Sequence, residues 1–507
     1  MIHIFSQYLA DLSEAGILRT PLPQVPQALQ DLPVQQLTYD SRESREGTLF
    51  IVKGAHFEQR FLEQAITDGA FAFVASEEFV ANLSGDVTSR ALPIAVSDLR
   101  AALVILGQRF YNHVTDELFT VGITGTKGKS TTAFYLQGIL HHWLTAKGEP
   151  GPGLLSSIRN DDGVTSEISH LTTPEVLDLY QHFANAKRSG IEHMVMEVSS
   201  QALKYGRVAG MNFDVAAFTN IGTDHISPVE HPSFEDYYAS KLKIFDRAKV
   251  ALINSDADLA QETISYARER ARVLTFGSHP SDDFYCERIE SQPDGSHFWV
   301  KSEAYNGEFV LGMPGLFNVS NALCAMAVAS EMGVPEEFVR SALLHAYVPG
   351  RMLSFTSDDG QIHVIVDYAH NRMSFEALFE SARLENPGAK IIAIFGAPGG
   401  KAYDRREDLG QVAGERADYV YLTEDEPAEE NYLDIAHEIE SHMGSVPHEI
   451  IEDRPTALER AIFDHSGERV ILFLGKGEER TMKRGTTFFP IESDADATRR
   501  LLAQYNQ

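Results

Sequence analysis

Short apolar runs rich in β-branched residues alternate along the chain with stretches that have the apolar spacing of amphipathic helices. LFTVGIT precedes TTAFYLQGILHHWL, and HMVMEVS precedes SQALKYGR, which is the strand-then-helix order of a βαβ unit. A second series begins near residue 350 with HVIVDYA, KIIAIFG, DYVYLTE and RVILFLG. This alternation favours an α/β fold built on parallel sheets.

The first hundred residues have a different pattern, with short strands at LTYDS and GTLFIVK and a helix at DLRAALVILGQRFYNHV. A chain of 507 residues is long enough for two to four domains of ordinary size. We therefore predict three α/β domains, at residues 1–112, 113–348 and 349–507.

The overall charge excludes several classes of partner. The formal net charge is −30, which repels nucleic acid backbones and anionic lipid surfaces, so no nucleic acid partner is expected. An anionic substrate would require a local concentration of positive charge. Two cysteines and an amphipathic rather than signal-like N-terminal stretch indicate a cytoplasmic protein without membrane insertion.

A candidate phosphate-binding loop lies at VGITGTKGKSTT, between a predicted strand and a predicted helix. Lys129 would neutralise phosphate charge and Ser130 would hold Mg²⁺. Ile123 stands where a strict Walker A sequence has glycine, so the loop is a variant. The residues predicted to contact ATP here are Gly125, Thr126, Lys127, Gly128, Lys129, Ser130 and Thr131.

The variant TGTKGKST resembles the ATP loop of the Mur ligases, the ATP-dependent amide ligases that build the peptidoglycan stem peptide. Further motifs follow in the order found in that family: LTTPE, MEVSSQAL, TNIGTDH, YYASKLKIF, GLFNVSNA, VPGRM, VDYAHN and LGKGEE. The resemblance covers most of the chain from residue 120 onward. It implies a UDP-binding N-terminal domain, a central ATPase-like domain and a Rossmann-like C-terminal domain.

The resemblance also implies the catalytic groups. Lys129, Glu197, His225 and Lys241 would act in catalysis, and Lys241 would carry a carbamate derived from CO₂. The Mg²⁺ ligands would be Ser130, Glu197, His225 and the Lys241 carbamate. On the sequence alone, His225 could equally be an ordinary loop histidine and Lys241 a solvated surface lysine.

Four residues match family positions that hold the nucleotide. Asn318 would contact adenine, Arg351 the phosphates, and Asp367 and His370 the nucleotide from the C-terminal domain. The alternative is that Asp367 and His370 only cap the end of the strand HVIVDYA.

LTTPE, MEVSSQAL and the N-terminal segment TYDSRESREGTLF resemble the branch of the family that adds the third residue, the MurE type. On that match Tyr39 and Ser41 contact the uridine diphosphate end of the precursor, although DSR could be a plain turn. Thr172 and Thr173 would contact the muramoyl peptide, and Ser199 and Arg207 the carboxylates of the dipeptide. Arginine suits a carboxylate because its planar fork pairs bidentately.

The added amino acid is read in the C-terminal domain of this family. Forms that add meso-diaminopimelate carry Asp-Asn-Pro-Arg, and this chain has Asp425, Glu426, Pro427 and Ala428 in that frame. Ala428 cannot bind a carboxylate, and the acidic neighbours suit an ammonium group, which indicates L-lysine. The acidic run could also be a solvated surface.

Three more residues are assigned to the amino acid by resemblance, Lys401, Gly475 and Glu479. Lys401 replaces the arginine that commonly binds the α-carboxylate, so Arg405 or Arg406 could take that role instead.

The sequence thus predicts a monomeric cytoplasmic ligase in cell-wall synthesis, and hence in cell shape and division. It would use ATP and Mg²⁺ to join L-lysine to UDP-N-acetylmuramoyl-L-alanyl-D-glutamate. The alternatives are L-ornithine or meso-diaminopimelate as the amine, a non-catalytic precursor-binding paralogue, and the related folylpolyglutamate synthetase activity.

Overall fold

The computed structural model describes residues 2–54, 57–83, 85–224, 226–227, 230–292, 294–401 and 403–507. Up to residue 124 the elements are α1 Phe5–Glu14, α2 Gln27–Gln30, β1 Gln36–Thr38, β2 Thr48–Ile51, α3 Gln59–Thr67, β3 Ala70–Ser76, α4 Glu77–Ala81, α5 Gly85–Arg90, β4 Leu92–Val96, α6 Leu99–Phe110 and β5 Phe119–Thr124. The next are α7 Lys129–Ala146, β6 Gly153–Leu155, β7 Arg159–Asp161, β8 Ser166–Ile168, α8 Val176–Arg188, β9 His193–Glu197, α9 Ser200–Lys204, β10 Phe213–Phe218, α10 Phe234–Leu242 and β11 Ala248–Asn254.

The remaining elements complete the α/β pattern. They are α11 Ala260–Arg268, β12 Arg272–Gly277, β13 Phe284–Gln292, β14 Gly295–Lys301, β15 Asn306–Leu311, α12 Asn318–Glu331, α13 Glu336–Leu344, β16 Leu353–Thr356, β17 Ile362–Asp367, α14 Arg372–Glu385, β18 Lys390–Phe395, α15 Asp404–Arg416, β19 Tyr419–Leu422, α16 Tyr432–Glu440, β20 His448–Ile450, α17 Arg454–Phe463, β21 Arg469–Leu474, β22 Thr481–Arg484, β23 Thr487–Pro490 and α18 Asp494–Tyr505.

The chain divides into two compact units, and the first comprises residues 1–124, 147–216 and 240–250. Its N-terminal sheet has the parallel order β1-β2-β3-β4. The amphipathic helix α1 packs its apolar face into this core together with α6. A second series of paired strands in this unit has the order β10-β5-β9-β6-β7-β8, in which β5, β9 and β6 are parallel. Most residues of β5 and β9 are buried, as expected for parallel strands covered on both faces.

The second unit comprises residues 125–146, 217–239 and 251–507. One series of paired strands has the order β15-β14-β13-β12-β11, and β13, β14 and β15 form an antiparallel meander. The other has the order β16-β17-β21-β18-β19-β20, parallel except for the edge strand β16. The predicted α/β fold with parallel sheets is confirmed, whereas the boundaries near residues 112 and 348 stay predictions.

The six-stranded sheet explains how distant motifs come together. VDYAHN, GAPGGK, TEDEP and GKGEE follow β17, β18, β19 and β21 respectively. Because parallel strands end at the same edge of a sheet, these four segments share that edge, which is where ligands bind in open α/β sheets.

Some elements were not predicted from the sequence, notably the β13–β15 meander and the β22–β23 hairpin.

None of the helices in the described ranges combines the length and apolarity needed to cross a bilayer. Cys286 and Cys324 are both buried free thiols.

Candidate active site

The loop between β5 and α7 has the backbone shape of a phosphate cradle. Gly125 and Gly128 adopt φ of +149° and +83°, in the range that disfavours other residues. A Cβ on Gly125 would lie 2.0 Å from Thr219 Oγ1, and one on Gly128 would lie 2.2 Å from Asn321 Oδ1. Lys129 Nζ donates to the carbonyl oxygens of Gly125 at 3.0 Å and Thr126 at 3.2 Å. The ammonium group therefore lies over the loop.

The segment after β10 holds this loop in place. Lys127 N–H donates to Asn220 Oδ1 at 2.8 Å, and the Lys127 carbonyl accepts from Thr219 Oγ1 at 2.6 Å. Thr126 N–H donates to the Asn220 carbonyl at 3.0 Å, and its hydroxyl lies 3.1 Å from the Tyr237 hydroxyl. Ser130 and Thr131 are buried in the first turn of α7, at the end of the helix where the dipole favours an anion.

Asp224 is the residue on which this loop and the C-terminal segments converge. Its buried carboxylate accepts from Lys127 Nζ at 3.2 Å, Asn371 Nδ2 at 3.1 Å and Arg405 Nη2 at 3.4 Å. Burial, together with Lys129 and Arg405, lowers the pKa of Lys127 to about 8 despite Asp224. Asp224 is not among the site residues predicted from the sequence, although it stands in TNIGTDH. The next residue, His225, lies outside the described residues.

The two asparagines at the start of α12 are buried and already engaged with protein groups. Asn318 Nδ2 donates to the Pro314 carbonyl at 2.8 Å, and Asn321 Nδ2 donates to Asn318 Oδ1 at 3.1 Å. Asn321 also accepts from the Thr132 hydroxyl at 3.4 Å. The assignment of Asn318 to adenine stays a prediction.

Arg351 and Asp367 lie close together at the end of β17, and not all of their polar atoms have hydrogen-bond partners among the described residues. Asp367 accepts the N–H groups of Met352 at 2.8 Å and Ala369 at 2.7 Å, so it does cap the end of this strand. The Arg351 guanidinium is 3.8 Å from Asp367, and among the described residues its buried Nε has no hydrogen-bond partner. An acceptor oxygen, such as one of a phosphate, would satisfy that nitrogen.

His370 is held uncharged beside this pair. Its Nδ1 lies 2.7 Å from the Tyr368 carbonyl oxygen. Burial, and then Lys127, Arg405 and Arg351, lower the pKa of His370 well below its ordinary value. Burial also raises the pKa of Asp367, against the effect of Arg351. Cations therefore dominate the region around the loop.

The acidic loop after β19 is already bound to several internal cations. Glu424 pairs bidentately with Arg484 at 2.6 and 2.7 Å, and Glu426 accepts from the buried Lys476 at 3.1 Å. Lys476 also pairs with Glu479. Burial acts to lower the pKa of Lys476, but Glu479, Asp425 and Glu426 together raise it above its ordinary value.

Asp425 differs from its neighbours because it is buried and forms no such ion pair with a described residue. Burial, with contributions from Glu426 and Glu479, raises its pKa to about 6, while Arg454 and Lys476 oppose the shift. Gly475 lies against it, since a Cβ there would be 2.5 Å from Asp425 Oδ2. Pro427 is buried, with its carbonyl against Gly399. Above about pH 6 the loop therefore presents an ionised carboxylate.

The two arginines considered for an α-carboxylate have other partners. Arg406 is 3% exposed and pairs with Glu430 at 2.9 Å and Glu438 at 2.6 Å. Arg405 contacts Asp224. Lys401 is largely exposed, and its Nζ lies 3.9 Å from Glu426.

In the first unit, Arg207 and Glu175 form the centre of a charged cluster. Arg207 donates to Glu175 at 2.7 Å and to the Thr173 carbonyl at 3.2 Å. Lys53 also pairs with Glu175 and lies 4.5 Å over the ring of Tyr39. A cavity of about 140 Å³ is lined by Lys53, Arg100, Leu103, Glu175, Val176, Tyr205 and Arg207. Three of these residues are not predicted from the sequence: Lys53 and Arg100, which lie in no motif, and Glu175, which lies in LTTPE.

The other residues predicted for the precursor lie in ordered turns of the same unit. The Tyr39 hydroxyl donates to Asp178 at 2.7 Å, and Ser41 is buried in the short 3₁₀ turn Ser41–Glu43. The Thr173 hydroxyl donates to the Glu197 carbonyl at 3.0 Å and accepts Ser199 N–H at 2.9 Å. Thr172 is partly exposed.

Glu197 and Lys241, also in the first unit, are almost completely buried, each 1% exposed. This excludes the reading of Lys241 as a solvated surface lysine. Glu197 Oε1 accepts from Ser157 N–H at 2.8 Å and from its hydroxyl at 3.2 Å. The described residues contain no group of three His, Cys, Asp or Glu side chains arranged for a metal ion. The oxygen atoms of Glu197 and Ser130 are nonetheless the type of ligand that Mg²⁺ prefers.

Comparison with known proteins gives matches along most of the chain. Residues 123–329 match the Mur ligase middle domain, and residues 350–477 match the glutamate ligase domain of Mur ligases. A UDP-N-acetylmuramoyl-L-alanyl-D-glutamate–L-lysine ligase of Enterococcus faecalis is 37% identical over 89% of this chain and 88% of its own length. A UDP-N-acetylmuramyl-tripeptide synthetase of Bifidobacterium longum is 36% identical over 94% and 93%. The fold resembles that of a solved UDP-N-acetylmuramoyl-L-alanyl-D-glutamate–2,6-diaminopimelate ligase, with a TM-score of 0.67, 21% identity and full coverage of both chains.

The loop geometry predicts different effects for two glycine substitutions. Gly128→Ala should lower the thermal unfolding midpoint by roughly 2–6 °C, because it adds a clash with Asn321 and strains a positive φ. Gly138→Ala is the matched control, since it lies in α7 with no atom within 4 Å of the added Cβ, and a helical alanine should be neutral or stabilising. Equal midpoints for the two variants would contradict the strained-loop description.

Proposed function

Because the chain belongs to the Mur ligase family, we propose that it is the ligase that joins L-lysine to UDP-N-acetylmuramoyl-L-alanyl-D-glutamate. The reaction would use ATP and form an amide on the γ-carboxylate of the D-glutamate, in the synthesis of peptidoglycan precursors. The observation that carries the choice of L-lysine is that Ala428 stands beside Asp425 and Glu426. Forms that add meso-diaminopimelate have an arginine in place of this alanine, and that arginine binds the second carboxylate of the substrate. Here the neighbouring side chains are carboxylates, which suit an ammonium group instead. The likeness to the Enterococcus faecalis lysine ligase supports the same choice.

The chemistry requires activation of a carboxylate before the amine can attack. The ATP γ-phosphoryl group would pass to an oxygen of the γ-carboxylate, which releases ADP and leaves an acyl phosphate. The amine nitrogen would then attack the acyl carbon, phosphate would leave and the amine would lose a proton. Such a reaction depends on positioning and charge neutralisation more than on covalent help from the protein.

The residues of the second unit suit the phosphate part of this reaction. The loop 125–131 supplies backbone N–H groups and the N-terminus of α7, and Lys127, Lys129, Arg351 and Arg405 supply positive charge. Asp224 holds Lys127 and Arg405 in place. Mg²⁺, when bound, supplies further neutralisation of the transferred phosphoryl group. Ser130, Glu197, His225 and a carbamate on Lys241 would hold it.

The residues of the first unit suit the precursor. Arg207 and Lys53 face a cavity beside Thr173 and could pair with its carboxylates, and Tyr39 and Ser41 would contact the uridine diphosphate end. Glu175 pairs with both cations, so the carboxylates of the precursor would have to displace it. We assign the protein to the cytoplasm, where its small-molecule substrates are made. We expect it to act there as a monomer.

The proposed function is tested by ADP release with the UDP-muramoyl dipeptide and three amines in separate reactions: L-lysine, L-ornithine and meso-diaminopimelate. We expect turnover with L-lysine, confirmed by product mass, and at least tenfold lower kcat/KM with meso-diaminopimelate, whose second carboxylate faces acidic residues. A preference for L-ornithine or diaminopimelate would correct the amine and keep the ligase. No turnover with any amine would favour a non-catalytic precursor-binding protein.

The pH dependence of amine binding should follow Asp425. Below about pH 6 this carboxyl takes up a proton and loses its attraction for an ammonium group, so the KM for L-lysine should rise as the pH falls through 6. Asp425→Asn should have a raised KM that does not change across this range. Asp434→Asn, at an exposed carboxylate in α16, is the control. An unchanged pH profile in Asp425→Asn would remove this residue from the amine site.

The role of Lys241 is tested by its replacement with alanine. We expect Lys241→Ala to reduce ligation by at least a hundredfold, and short carboxylates such as formate or acetate to restore part of it by replacing the carbamate. Lys243→Ala changes an exposed lysine two residues along and should be fully active. Because Lys241 is buried, the thermal midpoint of each variant is measured as well. Wild-type turnover by a folded Lys241→Ala without added carboxylate would contradict the assignment.

A further inference from the structure

A cavity of about 420 Å³ lies beside the loop that follows β19. It is lined by Gly399, Gly400, Lys401, Tyr403, Glu426, Ala428, Glu429, Glu430, Lys483, Gly485 and Thr486. Residues 399–403 and 426–430 follow β18 and β19 of the six-stranded sheet, and residues 483–486 belong to the hairpin β22–β23. The cavity is thus closed by an element that none of the sequence motifs included.

The charged side chains around this cavity differ in whether they have a partner of opposite charge. Glu426 accepts from Lys476 at 3.1 Å, and Glu430 is bound by Arg406 at 2.9 Å and by the N–H of Gly400. Lys483, by contrast, has no carboxylate within 4 Å in the described part of the chain. Among the described residues, the one carboxylate within 4 Å of Lys401 is that of Glu426, at 3.9 Å. Two lysines therefore line the cavity with few carboxylate partners among the described residues, although the protein has a net charge of −30.

The hairpin is fixed to the loop next to Lys483. Ala428 N–H donates to the Lys483 carbonyl at 3.3 Å, and Gly485 N–H donates to the Ala428 carbonyl at 2.6 Å. Arg484 binds Glu424 with two hydrogen bonds, and Glu426 N–H contacts Met482 Sδ at 3.1 Å. These contacts place the backbone of Lys483 directly beside Ala428. The hairpin thus brings the side chain of Lys483 to the lining of this cavity.

We infer that Lys483, together with Lys401, binds the α-carboxylate of the incoming amino acid and is a specificity residue for that group. The inference rests on the proposed function and deepens it. Arg406 is locked by Glu430 and Glu438, and Arg405 by Asp224, so neither meets a carboxylate without breaking an existing pair. The ammonium groups of Lys401 and Lys483 would bind the α-carboxylate of the amino acid, and Glu426 and Glu429 would bind its side-chain ammonium group. Such an arrangement complements a diamino acid.

The test compares L-lysine with L-lysinamide, which keeps both amino groups and replaces the α-carboxylate by a neutral amide. The kcat/KM ratio of the two amines is measured for the full chain and for Lys483→Met, Lys483→Arg and Lys390→Met. We expect Lys483→Met to lose about tenfold or more of the preference for L-lysine, because one charge-assisted hydrogen bond is removed. Lys483→Arg should retain most of that preference. Lys390→Met removes the same charge at the exposed start of β18 and should match the unsubstituted protein.

Each outcome has a distinct meaning. An unchanged ratio in Lys483→Met would overturn the inference. An equal loss with both amines would also overturn it, because Lys483 would then support the loop rather than read the carboxylate. If the unsubstituted protein turns over none of the amines, the proposed function fails and this inference fails with it, whereas an active protein with an unchanged ratio leaves the proposed function intact.

Discussion

The buried carboxylate of Asp224 is the constraint on which the phosphate region depends. An ionised side chain that is 7% exposed is stable only when it is paired, and Lys127, Arg405 and Asn371 together provide the pairing. Lys127 precedes Asn371 and Arg405 by more than two hundred residues in the chain, so one acid fixes the phosphate loop and two C-terminal loops simultaneously. Two cations on one carboxylate also leave an excess of positive charge, and Lys129 and Arg351 add to it. A chain with a net charge of −30 thereby gains a local region suited to a nucleotide phosphate.

The loop after β19 is held in a strained backbone conformation. Glu426 and Ala428 adopt φ of +46° and +51°, which is unfavourable for residues other than glycine or asparagine. The strain is maintained because the β22–β23 hairpin binds the loop through Ala428, Met482 and Arg484. A loop under such strain presents its carboxylates in one arrangement, with Lys476 buried among them. The loop is therefore pre-organised, and in the proposed function the ammonium group of the amine would meet carboxylates whose positions are already fixed.

Fold and activity are supported by different observations. The solved structure of the diaminopimelate ligase shares this fold at 21% identity, yet its name describes a different added amino acid. A common fold can carry several substrates because the sheets set only where loops meet, while the residues in the loops set the chemistry. In the proposed function, Ala428, Lys401 and Lys483 are such residues, and they would contact the added amino acid rather than the transferred phosphate.

The sequence by itself determined the strands and helices of the parallel sheets, because burial on both faces imposes apolar runs that are readable without a structure. It also determined the phosphate loop and the motifs at the ends of β17, β18, β19 and β21, since each lies beside a strand in the chain. The tertiary structure alone decided which charges are free. Arg406 looks as available as Lys401 in the sequence but is buried against two glutamates, and Lys241 looks like a surface lysine but is buried. Lys483 lies in no motif and reaches the loop only through the hairpin. Pairing of charges depends on distances across the fold, and those distances are not encoded in the spacing of residues along the chain.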